Sequence, residues 1–81
     1  MDYPIDYDHY ETDEIIDIVE FLNMLERYSI DKHAVDETTL IEKYALFKSI
    51  INNKAEEKRI DKAFQQQTNI SIYKTMQTLL K

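Results

Sequence analysis

Eighty-one residues suit one domain close to the smallest that a single core stabilises without covalent staples. The chain has no Cys and no Gly, and Pro4 is its only proline, which excludes disulfides, thiolate metal sites, glycine-rich phosphate loops and primed hairpin turns. The net charge of −6 is unevenly spread: residues 1–40 carry twelve acids against Arg27 and Lys32, a balance of −10, while residues 41–81 carry eight bases against four acids, a balance of +4. The two halves can attract within one chain, or the dipole can steer a partner or a second copy. The sequence starts Met1-Asp-Tyr-Pro-Ile-Asp and shows neither a secretory pattern nor an apolar run near the roughly 20 residues of a membrane span. The expectation is a soluble cytoplasmic protein with no membrane contact.

Tyr3, Ile5 and Tyr7 alternate with Asp2, Asp6 and Asp8 around Pro4, which reads as an extended arm over residues 1–11 laid against a helical body. Thr12 is the N-cap candidate for a first helix over about 13–28, with Asp13 and Glu14 favoured in its first turn. Ile18 and Leu25 centre its apolar face, flanked by Ile15, Val19 and Leu22. Phe21, Met24 and Tyr28 widen that face beyond half the helix, so the helix is either central or shared with a partner. These three residues are the first candidate interaction surface.

Residues 29–35 read as a connection. Asp36 caps a second helix over about 37–51, whose stripe is Leu40, Tyr44, Phe47 and Ile51. Asn52-Asn53 ends it, since Asn tolerates the left-handed conformation, and Asn53 with Glu56 fits a capping box for a third helix over about 54–68. Ile60, Ala63 and Phe64 form its thin apolar seam, and Asn69 is a left-handed stop. Ser71 caps a short fourth helix with Ile72, Met76 and Leu79 in a stripe widened by Tyr73 and Leu80, and Lys81 suits the negative end of its dipole. The fold expected is all-α: a small bundle of four helices preceded by an extended N-terminal arm.

Four words occur in order: Tyr3-Pro4-Ile5-Asp6-x-Asp8, Phe47-Lys48-x-Ile50, Lys54-Ala55-Glu56-Glu57-Lys58 and Ser71-x-Tyr73-Lys74. Together they resemble the YktA-like family of small uncharacterised proteins from low-GC Gram-positive bacteria. The resemblance covers nearly the whole chain, and it implies a small all-helical domain with no known activity, cofactor or catalytic residue. His9-Tyr10 stands near the family's Trp-Ser, Asn52-Asn53 replaces Pro-Ser, and Asn69 replaces a glycine. Each keeps a local role: aromatic anchor, cap and left-handed stop.

Four groups bear on chemistry. Asp6, Asp8, His9, Glu11, Asp13 and Glu14 suggest a metal or acid–base site, but the spacing is no EF-hand, and solvation and the helix dipole explain the charge. Neither His9 nor His33 has a nucleophile at a diagnostic spacing. Glu56 and Glu57 point about 100° apart on a helix, so Glu56 serves the cap and Glu57 pairs with Lys54. Lys54, Lys58 and Lys62 recur every four residues and, with Lys48 and Arg59, make a basic strip. The overall acidity speaks against duplex nucleic acid.

The function expected is a non-catalytic protein-interaction module that uses Phe21, Met24, Tyr28, Lys54, Lys58 and Lys62 toward a protein partner or a second copy. No catalytic residue, cofactor or metal is assigned. The alternative is a small metal-dependent or acid–base enzyme using the arm carboxylates and His9. A third class is single-stranded RNA binding, which needs Tyr73 or Phe47 exposed beside the lysines.

Overall fold

A computed structural model describes Tyr3 and residues 5–80. Along the chain run α1 (Thr12–Ile30), a 3₁₀ turn (Lys32–Ala34), α2 (Glu37–Ile50), α3 (Lys54–Thr68) and α4 (Ile72–Leu79). Among the described residues there is no strand. The radius of gyration, 11.8 Å, equals the roughly 12 Å of a close-packed chain of this length. The expected roles of Pro4 in the arm and Lys81 at the last dipole end lie outside the described residues.

Side-chain chemistry sets three of the four helix starts. Asn53 Oδ1 accepts from the N–H groups of Ala55 (2.9 Å) and Glu56 (3.3 Å), satisfying two donors that α3 leaves unpaired. Ser71 Oγ accepts from the Lys74 N–H at 3.2 Å and starts α4. Asn69 sits at φ 65°, the left-handed stop expected of it. Three local readings need correction. The N-cap of α1 is Glu11 rather than Thr12, and its N–H donates to Glu14 Oε1 at 3.0 Å. No left-handed Asn ends α2; Ile51 does so at φ −101°, because Asn53 is extended to cap α3. Glu56 does not fold back on that cap: Arg59 takes its carboxylate through two N–H groups.

One buried cluster joins all four helices. From α1 it takes Ile18, Phe21, Leu22, Leu25 and Tyr28, a run at spacings of three and four that brings one face inward. Leu40, Phe47 and Ile51 join from α2 and its end, Ile60 and Phe64 from α3, and Ile72 and Met76 from α4. Phe21 is at its aromatic centre, with ring centroids 5.0 Å from Phe47 and 5.6 Å from Tyr44. Tyr73 and Leu80 stay exposed and do not widen the α4 stripe.

The start of the chain closes this core on one side. Ile5 is buried, and Tyr3 packs on Phe64 with centroids 6.3 Å apart while its hydroxyl donates to Glu26 Oε2 at 3.3 Å. Beyond Asp6 the backbone is not extended. The His9 N–H donates to the Asp6 carbonyl and the Asp8 N–H to Asp6 Oδ1, both at 3.1 Å, so residues 6–9 form a tight turn. That turn lifts Tyr7 off the body, where alternation placed it on the groove side.

Candidate functional site

The helix faces decide which candidates are free. Phe21 is fully buried, Tyr28 is buried with its hydroxyl donating to Glu37 Oε2 at 2.9 Å, and Met24 packs half-buried against the core. The apolar surface that sequence assigned to a partner is therefore covered by the chain itself. Its excess width reflects a central helix, packed by α2 on one flank and by the N-terminal segment on another. The open side of α1 runs through Asp13, Ile16, Glu20, Asn23 and Arg27.

The basic strip is split. Lys54 and Lys58 line a groove bounded by α2, α3 and α4, with a volume of about 550 Å³. Lys62 is exposed and lies outside it. Phe47 and Ile72 lie buried beneath it, half-buried Tyr44 and exposed Tyr73 give it accessible aromatic surface, and Lys48 and Lys74 bring the rim to four lysines. None of the four makes an ion pair with a described residue; Lys43–Glu20 and Arg59–Glu56 are the ion pairs among those residues. The expected Lys54–Glu57 pair does not form, and Glu57 faces the groove. Asp61 also faces it, but its Oδ1 accepts from the Ile72 N–H at 2.8 Å and so serves the start of α4.

Electrostatics within the groove follow from this packing. Burial pushes the Tyr44 phenol above its ordinary value, while Lys48, whose ammonium lies 5.5 Å from the ring centroid, pulls it back. Tyr73 on α4 is 60% exposed at the groove edge. Of the aromatics proposed for stacking on RNA, Tyr73 is thus available and Phe47 is not. Accessible tyrosine rings under four cations can hold an apolar side chain flanked by carboxylates, the lysine stems covering it while their ammonium groups stay solvated. Sequence reasoning singled out Lys48, Lys54, Lys58 and Tyr73 but missed Lys74 and the inward Glu57. The adjacency of Tyr73 and Lys74 to the Ser71 cap was the available signal, since a helix start fixes both side chains to one end of the neighbouring helix.

A second hollow, about 430 Å³, lies where the N-terminal segment meets α3 and is lined by Tyr3, Ile5, Asp6, His9, Glu56 and Arg59. Asp6 and His9 do come together there, without Asp8. Arg59 holds the Glu56 carboxyl below its usual range, and Asp6 is tied into its own turn. Among the described residues no three His, Asp or Glu side chains stand close enough to hold a metal ion. His33 is an exposed turn residue whose N–H donates to Asp31 Oδ1 at 2.9 Å. No helix of the described residues is long and apolar enough to cross a membrane.

Residues 1–81 match the family described as "Uncharacterised protein family (UPF0223)". The chain is 45% identical over 75 residues to a UPF0223 protein of Bacillus cytotoxicus, covering 93% of this chain and 81% of that protein. It is 39% identical over 75 residues to one of Streptococcus uberis, with 93% and 78% covered. To one of Staphylococcus haemolyticus it is 36% identical over 75 residues, with 93% and 80% covered. No solved structure matches the chain. As its four sequence words implied, the chain belongs to the UPF0223 family of uncharacterised proteins, with relatives across low-GC Gram-positive bacteria.

Proposed function

We propose that this chain is a small cytoplasmic, non-catalytic protein-interaction module, folded as one helical domain with its N-terminal arm packed on the body. Its groove takes an acidic protein segment that carries one apolar anchor. One observation carries this reading: four lysines without an ion pair to any described residue rim a groove that also presents the rings of Tyr44 and Tyr73. Bringing an apolar side chain against the accessible rings of Tyr44 and Tyr73 releases water from both surfaces, and carboxylates on either side meet the lysines. The inward Glu57 and Asp61 and the net charge of −6 favour a peptide over a continuous polyphosphate backbone.

The test is an NMR titration with a capped Asp-Asp-Phe-Asp-Asp peptide and, separately, an oligouridylate of equal charge. The peptide is expected to shift amides of Lys54, Lys58 and Tyr73, with weaker binding as salt screens the rim. Lys54→Glu with Lys58→Glu is expected to abolish those shifts. Shifts confined to the Asp6–Arg59 hollow, no shifts at all, or tighter binding of the oligouridylate overturn the reading.

A further inference from the structure

The same chain presents a segment of the chemistry that the groove selects. The turn at residues 6–9 places Tyr7 at its tip between Asp6 and Asp8, with Glu11 two residues past its end, and all four side chains are exposed. Tyr7 is 47% exposed, although the alternation of Tyr3, Ile5 and Tyr7 directs it inward. The turn is already closed by the two hydrogen bonds to Asp6, and buried Ile5 anchors it on one side. A rigid acidic turn with an aromatic tip loses little conformational freedom on docking.

Geometry forbids a chain from filling its own groove. Asp6 and His9 lie against Glu56 and Arg59, whereas the groove uses Lys54, Glu57, Lys58 and Asp61. At about 100° per residue these two sets occupy opposite faces of α3. The turn and the groove therefore face away from each other across one helix.

Resting on the groove reading above, we infer that the occupant is a second copy: Tyr7 of one chain enters the groove of the next beside Tyr44 and Tyr73, and Asp6 and Asp8 meet its lysine rim. Charge complementarity between the acidic first half and the basic second half orients the encounter. Because donor and acceptor surfaces lie on opposite faces, the contact is heterologous and propagates head to tail. A single turn in a groove is a small contact, below about 1,200 Å², and belongs with weak, transient association.

Sedimentation equilibrium tests this on the intact chain, from about 10 μM to about 1 mM and at low and high salt. At low salt the average mass is expected to climb past two copies and to fall back as salt screens the rim. Tyr7→Ala, and separately Lys54→Glu with Lys58→Glu, are expected to weaken association about tenfold or more, the scale of an interface anchor. All three positions are exposed, and circular dichroism checks that each variant folds. Mixing the turn variant with the groove variant leaves one intact turn and one intact groove, so the mixture is expected to regain association and stop at two copies. A single-copy mass throughout, while the acidic peptide still shifts Lys54 and Lys58, overturns self-docking and leaves the groove reading standing. Association that survives both variants overturns self-docking as well.

Discussion

Replacing Phe21 by Leu separates a core role from an interface role. The side chain is fully buried and meets Phe47 at 5.0 Å with planes tilted 51°, and Tyr44 at 5.6 Å with planes tilted 33°. Each such aromatic pair contributes about 0.5–1.5 kcal/mol beyond its buried area, so losing both costs roughly 1–3 kcal/mol. The poorer fit of Leu adds about 1 kcal/mol. The expected loss is about 2–4 kcal/mol, out of a total of about 4–12 kcal/mol for a chain of this length. Urea unfolding followed by circular dichroism reads it as a lower midpoint with an unchanged slope. Thermal unfolding reads it as a fall of about 8 °C or more. A double-mutant cycle with Phe47→Leu is expected to give a coupling of about 0.5–1.5 kcal/mol. Because the contacts lie within one chain, the loss is independent of protein concentration, unlike that of an interface residue. A loss below about 0.5 kcal/mol, a coupling of zero, or a cost that vanishes on dilution refutes this placement of Phe21.

Three further expectations concern the helix ends and the tyrosines. Asn53→Ala removes the acceptor for two N–H groups of α3 and costs about 1 kcal/mol by urea unfolding. At Asn69, with φ 65°, Gly is tolerated or stabilises by up to about 1 kcal/mol, whereas Val destabilises; paired thermal melts show the ordering. Tyr3, Tyr10, Tyr28 and Tyr44 all have phenols raised above 10.0, burial being the first cause for each. A raised folded value means that the unfolded chain loses these protons first. Their contribution is therefore complete below about pH 10 and is lost as pH rises through the folded values. Stability measured in urea should hold flat to about pH 9 and then fall. Tyr28→Phe should shallow that fall while costing about 1 kcal/mol at neutral pH through the lost bond to Glu37.

The helices were legible because their signals are local. Spacing placed Leu40, Phe47, Ile60, Phe64, Ile72 and Met76 inside, and Asn53, Asn69 and Ser71 hold the cap positions assigned to them. What failed was anything decided by a second element, together with three choices between neighbouring groups at single helix ends: the cap of α1, the stop of α2 and the partner of Glu56. The arc of Phe21, Met24 and Tyr28 looks the same whether a partner or the rest of the chain covers it. Only the packing of α2 and of Tyr3 and Ile5 around α1 tells the cases apart. Glu56 had two possible donors within reach, its own helix start and Arg59, and a bidentate guanidinium holds a carboxylate better than one backbone N–H. The groove was half legible. Lys54 and Lys58 share a helix face, but that this face looks across at Phe47, Tyr73 and Lys74 depends on how α3 and α4 fold back.

The links at residues 51–53 and 69–71 hold three residues each. Closing such short loops costs little chain entropy, and helices joined this way meet their sequence neighbours first. Helical chains dominated by local contacts fold in about microseconds to milliseconds. Phe21 and Phe47 lie on helices adjacent in the chain, so they can meet before α3 and α4 dock. The aromatic centre of the core can thus assemble first, with the last two helices docking onto a surface already in place.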